Sequence, residues 1–224
     1  MLSFDMPGVG EASLPDRIPI DPDRAAESLS AWREAAVRVG LQLVDRHGWD
    51  RFLVVADGHG QPTAVRLAKR RPESVLGLAL GHASLSHATE GDRAPVTSGV
   101  WEGFEQLARQ GSEAFVRHGL VQMTRGGVDE EVAQQMLDRF PDWDMIVAVV
   151  EALGSEPEPI GDDLRALDLP LLLAKHEGCL GRTDEGFEDI VAAFPDAETA
   201  ICPEACSASP TFADAVKRFV TELG

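Results

Sequence analysis

Continuous apolar runs alternate along this chain with segments whose apolar residues recur at helical spacing. Runs at residues 52–55, 75–80 and 169–174 contain no charged position and predict strands, and the run at 75–80 is the kind expected of a strand buried on both faces of a sheet. A helix is predicted over residues 23–47, where the recurring apolar positions are Leu29, Trp32, Ala36, Val39 and Leu43. This alternation is typical of an α/β fold with a parallel sheet and helices on both faces.

The middle of the chain departs from the alternation. Residues 84–161 are predicted to form several helices, joined by breaks that contain glycine or proline. The alternation then returns with a helix, a short strand at 199–202 and a closing helix. We therefore expect a core made of residues 1–83 and 162–224, with residues 84–161 inserted as a helical segment.

Composition and charge exclude several classes of protein. The chain has 224 residues and a net charge of −18, which disfavours nucleic acid as a partner because phosphate binding requires a basic surface. We interpret the acidity as a contribution to solubility. No apolar run approaches the roughly 20 residues of a membrane span, and the first residues lack the basic and apolar regions of a signal peptide. We expect a cytoplasmic protein with no membrane partner.

The segment Ala56-Asp57-Gly58-His59-Gly60 lies between a predicted strand and a predicted helix. Strand, sharp glycine-rich turn and helix form the context in which the G-x-S-x-G motif presents a nucleophilic serine. Here the flanking positions are small, but glycine occupies the place of the serine. The segment therefore has the form of a nucleophile elbow without a nucleophile.

These residues, together with three other segments, resemble the α/β-hydrolase superfamily over nearly the whole chain. Residues 4–13 resemble its D-x-P-G-x-G-x-S segment, with Ser13 one position late, and residues 53–80 resemble its elbow strand, elbow, helix and next strand. Residues 169–173 resemble the strand that leads to the triad acid, and 210–219 the final helix. The resemblance implies an α/β-hydrolase-like fold in which the helical insertion is a lid over a pocket.

The chain departs from this family at every catalytic position. By resemblance Gly58 stands in the nucleophile position and Cys179 or Leu180 in that of the acid, while residues 203–208 lack the expected histidine. A Ser-His-Asp triad needs all three roles, and losing it costs roughly 10⁶ in turnover, about 8 kcal/mol. We therefore do not expect hydrolysis of esters by a serine.

Two residues of the elbow are candidate catalytic groups. Asp57 is either a turn residue or, in a frame shifted by one position, an aspartate nucleophile like that of the haloalkane dehalogenases. His59 follows the nucleophile position. In the family, the residue at the place of His59 donates a backbone N–H to the oxyanion hole. Its side chain is either an acid–base group in a pocket or a locally bonded turn histidine.

Further histidines follow other predicted strands. His82 and His176 come directly after strands at the carboxyl edge of the sheet, where open α/β sheets bind ligands. In the predicted lid, Trp101 and Phe104 either close the pocket or belong to the lid's own core. The predicted ligand-binding residues are Gly58, His59, Gly60, His82, Trp101 and His176.

The three cysteines do not change this picture. His176-x-x-Cys179 and Cys202-x-x-x-Cys206 follow neighbouring strands and contain residue types that bind zinc, but their spacings match no common zinc signature. We predict no metal and no cofactor. A disulfide between Cys179 and Cys206 is an equally disfavoured alternative.

The amino terminus is short for this family, whose sheet has two or three earlier strands. One of them would lie between the strand predicted at residues 2–5 and the elbow strand, and its absence would leave unpaired strand edges. Either residues 2–5 pair with residues 52–55, or a second copy or another partner completes the sheet, or the natural start lies upstream.

Two classes of function follow. The first is a non-hydrolytic pocket protein, similar to the epimerases, cyclases and lyases of this superfamily or to its receptors, that binds a small or peptidic metabolite. The second is a catalytically inactive pseudo-hydrolase that binds a protein partner, and a hydrolase with a rebuilt site is a minor third. The fold does not decide among them, because function depends on the site.

Overall fold

The structure is a computed structural model that describes most of the predicted core and part of the helical insertion. The described residues are 3–4, 24–83, 106–124, 130–138, 143, 147, 160–177, 184–203, 206 and 209–224. Trp101, Phe104 and Cys179, which the sequence singled out, lie outside them.

The described strands form a four-stranded parallel sheet in the order β1-β2-β3-β4. Their bounds are Phe52–Asp57 for β1, Val75–Gly81 for β2, Leu171–His176 for β3 and Glu198–Cys202 for β4. The predicted pairing of residues 52–55 with 75–80 is confirmed, with Val55 beside Ala79 and Asp57 beside Gly81. Because all strands run in one direction, their carboxyl ends meet at one edge of the sheet.

Helices precede, connect and follow these strands. In chain order they are α1 (Ala25–His47), α2 (Gln61–Arg70), α3 (Ser112–Thr124), α4 (Glu130–Asp138), α5 (Gly161–Leu167), α6 (Asp184–Ala193) and α7 (Pro210–Glu222). Helix α1 continues through Gly40, and α5 is a helix that the sequence pattern did not predict. Among the described helices, none has the length and apolar character that crossing a membrane requires.

The sheet is covered on both faces. Ala79 of β2 and Leu172 of β3 pack in one cluster with Phe212 and Phe219 of α7. Successive residues of a strand point to opposite faces, so Leu78 and Leu80 point away from α7, yet both are also completely buried. Two-sided burial explains the uninterrupted apolar run of β2, whereas β1 is only partly buried and Val55 is exposed. The α/β architecture that the sequence predicted is confirmed.

The chain divides into two compact units. One comprises Met1–Arg38 and Thr97–Pro157, and the other Val39–Val96 and Glu158–Gly224. The sheet belongs to the second unit, as do Asp57, His82 and His176. The role of residues 84–161 as a lid stays a prediction.

Within the first unit, side chains link α3 and α4. Arg117 contacts Glu113 on its own helix at 3.0 Å and binds Glu130 of α4 through two nitrogens, at 2.8 and 2.7 Å. Trp143 donates a hydrogen bond from Nε1 to the carbonyl oxygen of Ala108 at 3.0 Å. These contacts fix the described insertion helices to one another.

The strand predicted at the amino terminus is wrong for the residues that are described there. Ser3 and Phe4 are not in a strand, and the side chain of Phe4 is exposed. So short an apolar segment becomes a strand only through the hydrogen bonds of a partner, which a local pattern does not specify. Among the described residues, β1 pairs with β2 alone.

Gly77 allows α7 to pack directly on β2, and we expect Gly77→Ala to lower the free energy of unfolding by about 1–3 kcal/mol. The added Cβ would lie 2.9 Å from the carbonyl oxygen of Pro170 and 3.2 Å from Phe219 Cε1. That oxygen already accepts a hydrogen bond from the backbone N–H of Leu78 at 3.0 Å, so it has little freedom to move. Denaturant unfolding monitored by circular dichroism measures the change.

The matched control for this prediction is Gly60→Ala. Gly60 has φ −74°, and a Cβ there would meet the Cβ of Ala56 at an ordinary 3.6 Å. This substitution should leave stability unchanged or raise it by about 0.4–1 kcal/mol. Equal losses in both variants would contradict the proposed close packing at Gly77.

Candidate functional site

Three strand ends bring polar side chains together at the carboxyl edge of the sheet. Asp57 is the last residue of β1 and lies beside Gly81, the last residue of β2. His82 follows β2 directly, and His176 is the last residue of β3. The parallel register thus joins residues that are far apart in the sequence.

Asp57 and His82 form the central contact of this cluster. His82 Nδ1 is hydrogen-bonded to Asp57 Oδ1, and the two side chains are 16% and 24% exposed for His82 and Asp57 respectively. An ionised carboxylate only accepts hydrogen bonds, so Nδ1 is the donor. The contact therefore holds the imidazole in one tautomer and orientation and provides a countercharge when the ring is protonated.

The backbone of His82 is in an uncommon conformation that aims its ring at this carboxylate. Its φ is +52°, in the left-handed region that residues other than glycine rarely adopt. Such a conformation costs on the order of 1–3 kcal/mol and persists only when surrounding contacts hold it. Strain of this kind is concentrated at functional sites, which marks His82 as a candidate functional residue.

The ring of His176 packs against the same imidazole. The centroids of the two imidazoles are 4.4 Å apart and their planes are inclined by 80°, an edge-to-face arrangement. Between Asp57 and His176, the ring of His82 has little freedom to rotate. The structure thus brings together three of the residues that the sequence singled out.

The elbow itself is a tight turn at the end of β1. Gly58–Gly60 form a single 3₁₀ turn that leads into α2, and Gly58 has φ +51°. Among the described residues no heavy atom lies within 4 Å of the position that a Cβ on Gly58 would take. The backbone conformation, rather than crowding, therefore explains the glycine. His59 contributes its backbone to this turn, and its side chain is outside what the structure describes.

Two residues that sequence analysis missed support the pair. Gln61 is completely buried and donates hydrogen bonds from Nε2 to the carbonyl oxygens of Gly81 and His82. Gly81 leaves room for the carboxylate, because a Cβ there would lie 2.8 Å from Asp57 Oδ1. The sequence did carry one signal for Gln61, since it is a polar residue that directly follows the glycine-rich elbow and precedes the α2 segment.

Cys206 lies next to this cluster, close to Gly81 at the end of β2. It is 2% exposed, and its Cβ would lie 2.9 Å from a Cβ placed on Gly81. Burial raises the pKa of the Cys206 thiol to about 12, although a hydrogen bond with the backbone of His82 acts in the opposite direction. The side chain is therefore a neutral thiol at physiological pH and not a nucleophile.

The structure describes two of the three cysteines. Cys202 and Cys206 are buried free thiols, and Cys179 lies outside the described residues. Across the part of the chain that the structure describes, no group of three histidine, cysteine or carboxylate side chains is arranged to hold a metal ion. The cluster instead offers one carboxylate, two imidazoles and a protonated thiol.

Comparisons with solved structures identify the fold. The chain is similar to an esterase from Thermogutta terrifontis, with 15% identity, a TM-score of 0.67 and coverage of 98% of this chain and 78% of that one. It is also similar to the 2-hydroxy-6-oxo-6-phenylhexa-2,4-dienoate hydrolase of Rhodococcus sp. strain RHA1, with 15% identity, a TM-score of 0.70 and coverage of 98% and 77%. A hydrolase from Oleispira antarctica gives 12% identity, a TM-score of 0.67 and coverage of 98% and 79%.

The chain therefore has the α/β-hydrolase fold. No protein-family model matches its sequence, and no curated protein sequence does so either. Identities of this size establish the fold alone, and the chemistry has to be argued from the site.

The state of Cys206 leads to a prediction for thiol reactivity. A shift of the pKa from 9.0 to about 12 makes the thiolate fraction at pH 8 about a thousandfold smaller. In the folded protein, iodoacetamide should leave Cys206 unmodified at pH 8, as measured by peptide mass spectrometry, and modify it rapidly in guanidinium chloride. Native-state alkylation at the unfolded rate would contradict the burial.

The same shift has a stability consequence with a defined sign. Because the pKa of Cys206 is higher in the folded than in the unfolded chain, the protonated thiol favours folding below pH 9. This contribution is lost as the pH rises from about 9 towards 12. The wild type should therefore lose more stability than Cys206→Ala between pH 8 and pH 10.

Proposed function

We propose that this chain is a non-hydrolytic pocket protein that binds a small or peptidic metabolite and moves a proton on it. The reaction class is that of an epimerase, a cyclase or a lyase. The observation that carries the proposal is the contact between His82 Nδ1 and Asp57 Oδ1 at the carboxyl edge of the sheet. Open α/β sheets bind ligands at this edge.

The proposed mechanism assigns each residue of the pair one role. Asp57 accepts a hydrogen bond from Nδ1–H, so the lone pair of the neutral imidazole lies on Nε2, and this atom is the base. When Nε2 takes a proton from the ligand, the resulting imidazolium remains bound to the carboxylate. A positioned general base of this kind contributes roughly 10²–10⁴ in rate.

Nucleophilic chemistry has weaker support in the same cluster. Gly58 has no side chain, Cys206 is a neutral thiol, and the Oδ1 of Asp57 is engaged by His82. A carboxylate that orients a histidine is already committed to one partner. We therefore interpret Asp57 as the orienting group rather than as a nucleophile.

The remaining candidate residues are assigned to ligand binding. We place the proton transfer on His82 and keep His59 for the backbone N–H that it contributes next to the elbow. Gly58 and Gly60 would leave open backbone facing the ligand, and His176 would border the site beside His82. Trp101 of the predicted lid would close it.

The proposal is tested by exchange of carbon-bound hydrogen. A panel of dipeptides and 2-oxo acids is incubated in D₂O with the protein, and loss of the Cα–H or Cβ–H signal is followed by proton NMR. We expect exchange of at least one class, and we expect His82→Gln to slow it by about 10²–10⁴. The matched control is His47→Gln, which removes an exposed histidine at the end of α1.

The alternatives give different results in the same experiment. An absence of exchange with the wild type across the panel would contradict the proposal. Turnover of a short activated ester, with a covalent adduct on Asp57 seen by intact-mass spectrometry, would favour a rebuilt hydrolase. If His82→Gln and His47→Gln exchange at equal rates, His82 is not the base.

A second candidate function, binding of a protein partner, is favoured by a specific feature of β1. Residues 52–56 of this strand are all apolar, and Val55 is 48% exposed. Within the described residues, β1 is an edge of the sheet, and exposed apolar edge strands pair with other chains. A second copy of this chain is the simplest occupant, since it would extend the sheet.

This second candidate predicts a concentration-dependent oligomer. We expect light scattering after size exclusion to detect it in the wild type, and Val55→Lys to shift it towards monomer because a charge on an edge strand opposes pairing. Val220→Lys, at a 39% exposed valine on α7, is the control. A monomer at all concentrations would contradict self-association through β1.

A further inference from the structure

Gln61 is a buried polar side chain at a position where the site needs rigidity. It is the first residue of α2 and is 0% exposed. Burying an amide is unfavourable unless its hydrogen-bonding groups are used. Its Nε2 donates to the carbonyl oxygen of Gly81 at 2.8 Å and to that of His82 at 3.1 Å, whereas its Oε1 has no hydrogen-bond partner among the described residues. Both acceptors lie in the short segment that leads from β2 to the candidate base.

These two bonds fix the peptide units on either side of His82. The Gly81 carbonyl belongs to the peptide before His82, and the His82 carbonyl belongs to the peptide after it. The second of these peptides is also held at its nitrogen, since the N–H of Ala83 donates to the carbonyl oxygen of Ala174 at 3.0 Å. The orientation of both peptide planes defines φ and ψ of His82.

Gln61 also connects this segment to the elbow. Its backbone N–H donates to the carbonyl oxygen of Gly58, which closes the 3₁₀ turn. One residue therefore links the end of β1, which carries Asp57, to the end of β2, which carries His82. A substitution of the Gln61 side chain would remove the two bonds to the segment around His82, while the backbone bond to Gly58 would remain.

We propose that Gln61 is the positioning residue of the site, which holds His82 in its left-handed backbone conformation and thereby directs Nδ1 at Asp57. This inference rests on the proposed function of the pair. Gln61 does not touch the ligand in this account and acts through His82. Its substitution should lower the rate of proton exchange while leaving ligand affinity nearly unchanged, because the groups that contact the ligand remain.

The test uses the full chain labelled with ¹⁵N-histidine, with the ring nitrogens of His82 observed by NMR at pH 8. In the wild type we expect the neutral ring in its Nδ1–H tautomer. Gln61→Met keeps a similar side-chain length but removes both donors, so we expect a mixture of the two tautomers. We also expect the exchange kcat to fall by roughly tenfold to a hundredfold, with KM little changed.

The matched control is Thr63→Val in the same helix. Thr63 is 5% exposed, and its Oγ1 has no hydrogen-bond partner among the described residues. The variant removes a buried polar atom close to Gln61 without touching the segment around His82. It should retain the wild-type tautomer and kcat.

A second substitution keeps the test decisive if Gln61→Met does not fold. Gln61→Asn retains the amide on a side chain shorter by one methylene, which cannot reach both carbonyl oxygens. Gln61→Asn should also give a mixture of the two tautomers, with a smaller fraction of the Nε2–H tautomer than Gln61→Met. Far-UV circular dichroism confirms that each variant examined is folded.

The possible outcomes separate this inference from the proposed function. If the wild type lacks the Nδ1–H tautomer, the Asp57–His82 pair itself is contradicted and the proposed function fails with it. If the wild type has that tautomer and both Gln61 variants keep it with unchanged kcat, only the positioning role of Gln61 is overturned. A tautomer mixture in the Gln61 variants but not in Thr63→Val supports the inference.

Discussion

The hydrogen bond between His82 and Asp57 is the interaction on which the candidate site depends. It requires β1 and β2 to be adjacent and parallel, because only then do the two strand ends meet. It also requires His82 to hold a positive φ, which the surrounding hydrogen bonds stabilise against its intrinsic cost. The contact between His82 and Asp57 therefore depends on both the packing of the sheet and the strained backbone at His82.

The candidate site combines the α/β-hydrolase fold with a cluster of one carboxylate and two imidazoles at the carboxyl edge of the sheet. The turn at Gly58–Gly60 follows β1 directly and leads into α2, and Gly58 has a positive φ. Asp57 directly precedes this turn and His82 follows the next strand, and we propose these two as the acid–base pair. In such an arrangement the scaffold supplies a rigid edge of the sheet, and the polar residues placed there decide which chemistry is available.

Burial has opposite effects on two neighbouring side chains. For Cys206 it raises the pKa and keeps the thiol protonated, so the nucleophilic thiolate does not form near neutral pH. For Gln61 it makes the two hydrogen bonds to backbone oxygens obligatory, since an unsatisfied buried amide is costly. The same apolar surroundings thus suppress one reactive group and fix the orientation of another.

The sequence by itself determined the architecture, because a strand that is buried on two faces has an uninterrupted apolar run, which can be recognised from the sequence alone. The apolar run of β2 and the helical periodicity of α1 each depend on neighbours within a few residues, and the structure confirms both. Ser3 and Phe4 were wrongly expected in a strand because two residues carry no information about a partner. The sequence also indicated Asp57, His82 and His176 as candidates, since each follows a predicted strand.

Only the tertiary structure decided how those candidates combine. The register of β1 and β2 places Asp57 beside Gly81, and no local pattern encodes a pairing between residues so far apart. The left-handed backbone at His82 and the hydrogen bonds of Gln61 depend in turn on that register. The candidate residues can be identified from a sequence, but the contacts that orient their side chains arise from long-range packing.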